Sequence, residues 1–332
     1  MHAVTQTVYG GPEVLSTTQV ARPEISENQI LVEVRASALA EGDRRLRAAD
    51  FPGISAVIGR LMFGLRGPRA ATGGTTFAGR VVEVGAQVTR FRIGDRVFGG
   101  TMNGAHAEYL AVEAEGAVTH LPKGIAEDDA VAMIYGAGTA LCFLERAELR
   151  AGERVLIIGA SGGVGRYAVQ VAKALGAHVS AAVRDDGSFA RRMGADEVID
   201  TRSETFDEDS YDVIFDTRSG YHFAELRGHM RSGGRYVSVD ASPRLLLQML
   251  WTKLTRNKRR ALTGVVMESR ERLERIAAMT LDGQLEPAIA SRFPLRNIVA
   301  AHQMLEAPDA PRGTIVIEPY LPKPNMFLGA VA

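Results

Sequence analysis

The chain has 332 residues, 39 Lys+Arg balanced by 39 Asp+Glu, 46% apolar residues and one cysteine. That length suggests about two domains of roughly 150 residues each, and zero net charge argues against a nucleic-acid protein built on a broad basic field. A single cysteine, Cys142, excludes an intrachain disulfide and a Cys-cluster zinc site.

Glycine is 35 of 332 residues, above the usual ~7%, so many positions need positive φ or close backbone approach. Met1 to Gly10 lack a charged region followed by an apolar one, so no secretory signal is expected. No run of about 20 apolar residues is present, so no transmembrane helix is expected. Gln29 to Ala38 alternates with period two, as a half-buried strand does. Ile54 to Leu65 is apolar and carries Arg60, with Arg66 just beyond; it reads as a surface helix over the neighbouring strands or as a cap on a cleft. Arg80 to Val84 and Arg96 to Phe98 read as short strands joined by glycine turns, which suggests a small barrel-like domain.

After Leu121-Pro122-Lys123-Gly124 strands and helices alternate. Arg154 to Ile158, His178 to Val183, Glu197 to Ile199, Tyr211 to Phe215 and Arg235 to Val239 read as strands. Val164 to Leu175, stopped by Gly176, and Phe189 to Met193, stopped by Gly194, read as helices. Five buried strands with intervening helices indicate an α/β doubly wound parallel sheet. Leu245 to Leu254, with Trp251, precedes the basic Arg256, Lys258, Arg259 and Arg260. It reads as a short half-buried helix with a solvated basic end, the alternative being a helix that touches anionic membrane. Glu268 to Leu281 is an amphipathic helix and Thr314 to Ile317 a closing strand; both are expected to return to the first domain. The tail, Pro319 to Ala332, holds three prolines and is expected to wander or dock on a neighbour.

The segment that carries chemistry is Val155 to Gly165, VLIIGASGGVG. A strand runs directly into glycines and then a helix. Gly159, Gly162 and Gly165 follow G-x-x-G-x-x-G, with Ala160 where the strict dinucleotide pattern has its first glycine. Gly162 lets the backbone approach a pyrophosphate, and Gly165 lets the helix pack on the strand. The turn Gly159, Ala160, Ser161, Gly162, Gly163, Val164 and Gly165 would present free N–H groups at a helix N-terminus. The next strand ends near Val183, with Arg184 and Asp185 after it and Arg191 and Arg192 on the following helix. An acid there suits the 2′-hydroxyl of NAD and an arginine the 2′-phosphate of NADP. Arg184 comes first, which favours NADP over NAD.

Several segments together resemble the medium-chain dehydrogenase/reductase superfamily, in its zinc-free quinone oxidoreductase branch. They are Tyr9 to Leu15 (YGGPEVL), Phe77 to Gly99 (FAGRVVEVGAQVTRFRIGDRVFG), Gly104 to Tyr109 (GAHAEY), Gly138 to Leu141 (GTAL), the glycine turn, Leu175 to Ala177, Gly194 to Asp200 (GADEVID) and Tyr211 to Asp216 (YDVIFD). The resemblance spans residues 3 to 318 and implies a GroES-like β-barrel catalytic domain interrupted by a Rossmann domain. The expected division is 1–122 for the first part of the catalytic domain, 123–263 for the Rossmann domain and 264–332 for the return. It further implies hydride transfer from NADPH to a quinone or α,β-unsaturated carbonyl, and a homodimer. Thr139 matches a threonine beside the nicotinamide, Val239 and Asp240 match a loop approaching it, and Gly264 and Val265 match a second such loop. The sequence departs from the branch at Ala40-Glu41-Gly42-Asp43, where Asn-Pro-x-Asp is usual, and at Thr76, Ile134 and Asp240.

No zinc is expected. The histidines are His2, His106, His120, His178, His222, His229 and His302, and only His222 and His229, seven apart, lie near each other in sequence. Cys142 lies in an apolar run and reads as a small buried hydrophobe. Tyr135 lies one helical turn before Thr139, so the two share a face and the phenol is a candidate proton donor; a core tyrosine, with solvent as donor, is the alternative. The expected substrate is a lipophilic, electron-poor small molecule, with no nucleic-acid partner, in a cytoplasmic protein. Two other functions fit the same residues. One is an enoyl-thioester reductase. The other is an NADPH-binding regulatory or structural protein with little catalysis, favoured by Ala40 in place of the asparagine.

Overall fold

The strands of the first 120 residues pair across large sequence distances. β1 (His2–Thr5) and β2 (Ser16–Gln19) form an antiparallel ribbon. β3 (Gln29–Leu39), β4 (Thr76–Val84), β5 (Arg96–Gly100), β6 (Tyr109–Glu113) and β7 (Val118–His120) build most of a seven-stranded sheet, in which β3 pairs with both β4 and β6. The computed structural model describes residues 1–50, 55–69, 71–203, 205–255 and 258–319. The register along β3 and β4 shifts twice, and such bulges bend a strand and raise its twist. Helices α1 (Glu41–Ala48) and α2 (Ser55–Phe63) lie between β3 and β4. A helix thus forms over the described part of the apolar Ile54–Leu65 stretch; residue 54 lies outside the described residues.

The long helix α3 (Glu127–Arg146) joins the two halves of the molecule. Residues 130–144 are buried apart from Tyr135, which is half-buried. Its neighbours include α4 (Gly165–Ala174) on one side and β3, β4 and β5 on the other. Its last carbonyls are held by Arg235, whose Nε donates to the carbonyl oxygen of Ala147 at 2.8 Å and whose Nη2 donates to that of Glu148 at 2.9 Å. A cation at a helix C-terminus also meets the negative end of the dipole.

Six parallel strands follow: β8 (Arg154–Ile158), β9 (His178–Val183), β10 (Glu197–Asp200), β11 (Tyr211–Asp216), β12 (Met230–Ser238) and β13 (Arg260–Leu262). Their order, β10-β9-β8-β11-β12-β13, is the dinucleotide-binding order 3-2-1-4-5-6. Val155, Leu156 and Ile157 are wholly buried, each worth about 1.5–3 kcal/mol of burial. The strands expected at 154–158 and 178–183 have those bounds. β12 begins at Met230 rather than Arg235, because Met230 already pairs with Tyr211, and the polar Arg231 to Gly234 run bulges out before the register resumes at Val213 and Arg235. β13 is a sixth strand beyond the five expected. On the flanks lie α5 (Ser188–Arg192), α6 (Phe223–Leu226) and α7 (Pro243–Leu254), the last on β13.

The last residues go back to the first sheet. α8 (Arg270–Leu281) starts at a Ser269 cap, one residue beyond the expected Glu268, and packs on α3 and β7. β14 (Ile289–Pro294), α9 (Ile298–Glu306) and β15 (Thr314–Glu318) follow, and β15 pairs antiparallel with β3 in the register Ile315 to Leu39. The barrel-like sheet is therefore completed by strands from the two ends of the chain. Of the tail, only Pro319 lies within the described residues.

Candidate active site

A cleft of about 710 Å³ lies at the C-terminal ends of β8, β9 and β11, between the parallel sheet and the barrel-like sheet. This is the point at which the strand order reverses, where open α/β sheets bind ligands. Its floor is the turn after β8. Gly159 has φ +81°, which favours glycine. A Cβ on Gly165 would fall on the carbonyl oxygen of Gly159, so only glycine lets α4 begin so close to the strand. Gly163, by contrast, has open space where a Cβ would stand. Among the described residues the N–H groups of Ser161, Gly163 and Val164 have no backbone partner. The Ser161 Oγ is buried and likewise unpartnered. A run of free donors at a helix N-terminus suits a phosphate, and the residues present fit a dinucleotide's pyrophosphate.

The far wall is the exposed side of α3. Tyr135, Gly136 and Thr139 line the cleft together, facing Ala40, Glu41 and Arg45 of the α1 segment. The Thr139 hydroxyl donates to the Tyr135 carbonyl oxygen at 2.6 Å, the backbone bond open to any helix threonine. The Tyr135 ring rests on Gly42, where a Cβ would stand 3.2 Å from Cε2. Burial raises the phenol's pKa above the ordinary tyrosine value; Arg45 acts in the opposite direction, and Asp43 and Glu41 add to the rise. Asp43 keeps a structural part of the altered Ala40–Asp43 segment. Its Oδ2 accepts from the Ala40 N–H at 2.8 Å and its Oδ1 from the Thr75 hydroxyl at 3.1 Å. Burial pushes its pKa up to about 6.

Arg184 and Asp185, just after β9, differ in their surroundings. Arg184 is exposed at the cleft and has no ion-pair partner among the described residues. The Asp185 carboxylate is held by Arg312 at 2.9 Å and accepts the Gly187 N–H at 2.8 Å. Arg312 also lines the cleft, from the loop before β15. Arg166, buried at the start of α4, donates through Nη2 to Thr314 Oγ1 at 3.0 Å while its Nε has no partner. Arg45, Arg166, Arg218 and Arg312 are four cleft cations that sequence reading missed. Arg166 was within reach, being the residue after Gly165. Nothing local in sequence points to Arg312.

Three sequence-predicted positions lie away from the lining of the cleft. Val239 lines the cleft, but Asp240, Gly264 and Val265 do not. The Asp240 carbonyl is taken by Thr263 Oγ1 at 2.9 Å. The Arg146 guanidinium fills the space beside Gly264, and Val265 is 77% exposed on the outer side of the loop after β13. Ala160 is wholly buried, offering only its backbone. Among the described residues no three His, Cys, Asp or Glu side chains stand together as metal ligands do. Cys142 is buried in α3. His106 is buried against Ser37 Oγ, 2.8 Å from its Nδ1. These donors do not fit a zinc ion.

Residues 26–123 match the alcohol dehydrogenase GroES-like domain, and residues 193–317 match a family described as zinc-binding dehydrogenase. A quinone oxidoreductase of Lama guanicoe is 30% identical over 96% of this chain and 97% of its own. Among solved structures, the quinone oxidoreductase of Coxiella burnetii superposes with a TM-score of 0.83 at 26% identity, over 96% of this chain and 99% of its own. The Escherichia coli quinone oxidoreductase complexed with NADPH has the same fold, with a TM-score of 0.79 at 24% identity over 96% and 100% of the two chains.

Proposed function

The chain belongs to the medium-chain dehydrogenase/reductase superfamily, among the oxidoreductases related to quinone oxidoreductase, and from that premise we propose that it reduces a quinone or an α,β-unsaturated carbonyl with NADPH, without zinc. The observation that carries this reading is the continuous cleft from the donor-rich turn after β8 to Tyr135 and Thr139. Bound NADPH would supply the hydride. The protein's own part is binding, orientation and one proton.

The Ser161 hydroxyl and the N–H groups of the turn hold the pyrophosphate, with Gly159, Gly162 and Gly163 giving it room. Arg184 holds the 2′-phosphate. Asp185, already neutralised by Arg312, is not free to select a 2′-hydroxyl. Thr139, its proton committed to the Tyr135 carbonyl, offers the nicotinamide end a lone pair. Tyr135 holds the proton for the acceptor's oxygen: a phenol is protonated at neutral pH, burial raises its pKa further, and Arg45 lines the same cleft to favour charge forming on that oxygen. Apolar Val131, Ala132, Leu39 and Leu305 line the same cleft, as a lipophilic acceptor requires.

The reading divides the chain at residues 122 and 263 and takes the active form as a homodimer. It is tested by following NADPH and NADH oxidation by the pure protein against a panel of quinones, enones and a 2-enoyl-CoA. Turnover with quinones or enones and a preference for NADPH are expected. Turnover confined to the enoyl thioester would replace the substrate class. Cofactor binding without turnover would leave a binding protein.

A further inference from the structure

Three arginines are buried among the described residues: Arg47, Arg166 and Arg235. A guanidinium withdrawn from water needs a counter-charge, and two of the three have one. Arg47 pairs with Glu306 at 2.6 Å and Arg235 with Glu153 at 2.7 Å. Arg166, only 4% exposed, has no ion-pair partner among the described residues. The groups beside it are neutral. Its Nη2 donates to Thr314 Oγ1 at 3.0 Å, its guanidinium carbon lies 5.2 Å from the centre of the Tyr167 ring, and its buried Nε has no partner.

Its place in the chain adds to the imbalance. Arg166 is the second residue of α4, where the helix dipole is positive and a cation is unfavourable. The first turn of α4 holds no acidic residue to offset it. Arg166 lines the cleft together with Gly162, Gly163 and Val164 of the turn. A buried cation, a helix N-terminus and free N–H donors thus converge, with no carboxylate paired to them among the described residues. One bound anion answers all three. A pyrophosphate has the right form, because its charge is spread over two phosphates: one can take the N–H groups and the other the guanidinium.

We propose that Arg166 is the fixed counter-charge of the cofactor's pyrophosphate, held in place by Thr314 at the head of β15; the inference rests on the nucleotide reading made above. Two fragments of the cofactor isolate its part. ADP-ribose carries the pyrophosphate without nicotinamide or 2′-phosphate, and adenosine 2′-monophosphate carries the 2′-phosphate without the pyrophosphate. Binding of each to the full-length protein and to Arg166→Met is measured by calorimetry, and the nucleotide-free melting temperatures are compared. Methionine fills much of the same space, and the Thr314 hydroxyl keeps a partner, since it also donates to the Ala132 carbonyl oxygen at 3.0 Å.

The Kd for ADP-ribose should rise at least roughly tenfold in the variant, the worth of a charge-assisted hydrogen bond, while that for adenosine 2′-monophosphate stays nearly unchanged. The nucleotide-free variant should also melt a few degrees above the wild type, because a buried cation without a counter-ion has been replaced by an apolar side chain. A variant that binds ADP-ribose as tightly as the wild type would overturn the inference alone. So would equal losses with both fragments, or a variant that fails to fold or melts below the wild type, since Arg166 would then be a structural cation. A wild type that binds neither fragment would overturn the nucleotide reading and this inference with it.

Discussion

Thr139 and Tyr135 are joined backwards along α3: the threonine hydroxyl donates to the tyrosine's carbonyl oxygen at 2.6 Å. The hydroxyl proton is therefore committed within the helix, and Oγ1 can act toward the cleft only as an acceptor. Thr139→Val keeps the shape and removes the lone pairs. Its kcat/KM for NADPH turnover is expected to drop roughly tenfold, the worth of one hydrogen bond, with the melting temperature little changed. Thr139→Ser should recover most of the activity. A valine variant as active as the wild type would remove Thr139 from the site.

Tyr135→Phe leaves the ring on Gly42 and deletes only the proton. A positioned general acid contributes about 10²-fold or more, so kcat should fall by that order while KM for NADPH stays put. Because burial raises the phenol's pKa, the wild-type rate should not lose this donor anywhere below the ordinary tyrosine range near 10. Stopped-flow rates from pH 6 to 9 check both points, and a variant equal to the wild type would mean that solvent supplies the proton.

The ion pair between Arg312 and Asp185 predicts a change in nucleotide choice. Arg312→Ala releases the Asp185 carboxylate to accept from a ribose 2′-hydroxyl. The ratio of kcat/KM for NADPH over NADH should fall about tenfold, chiefly by improvement with NADH. Arg184→Ala should instead raise KM for NADPH and leave NADH nearly unaffected. Equal effects on both nucleotides would sink either assignment.

Stability should peak on the acid side of neutrality. Burial raises the Glu268 carboxyl to about 7 and that of Asp43 to about 6. The folded state therefore holds these protons more tightly than the unfolded chain, and their stabilising effect, full below about pH 4, is lost as pH rises through 6 and 7. Burial lowers His106 to about 4 and His302 to about 3. Their effect runs the other way, present above about 6.5 and lost as pH falls through 4 and 3. Glu268→Gln keeps the shape without the charge, and at pH 8 it should be more stable than the wild type by on the order of 2 kcal/mol. Urea melts at pH 5 and pH 8 test this; a variant no more stable at pH 8 would refute it.

The central strands and the glycine turn were legible because buried parallel strands are continuous apolar runs and glycine marks their ends. β8 and β9 could be bounded to the residue for that reason. β13 could not, being three residues at a sheet edge with an exposed Arg260 at its head. The apolar run of α7 was legible as a short helix, but its composition does not say that Leu247, Leu250, Trp251 and Leu254 face outward. Thr139, Tyr135 and the turn after β8 follow from local spacing. Arg312 reaches Asp185 only because β15 returns beside β3, a closure that no local pattern encodes. That Gly264 lies against the Arg146 guanidinium, off the lining of the cleft, is likewise a contact with a different element that local spacing does not carry.

The pairing of β3 with β15 also fixes an order of events. As the chain is synthesised from its N-terminus, all six strands of the parallel sheet have emerged while β3, with β4 and β6 available to it, still lacks β15 near the far end. The nucleotide sheet can thus fold from nearby segments, whereas the barrel waits for nearly the whole chain and must close one of the longest loops in the molecule. A ribosome stalled before residue 314 would carry a formed nucleotide fold beside an open barrel edge, the stretch of nascent chain most in need of a chaperone.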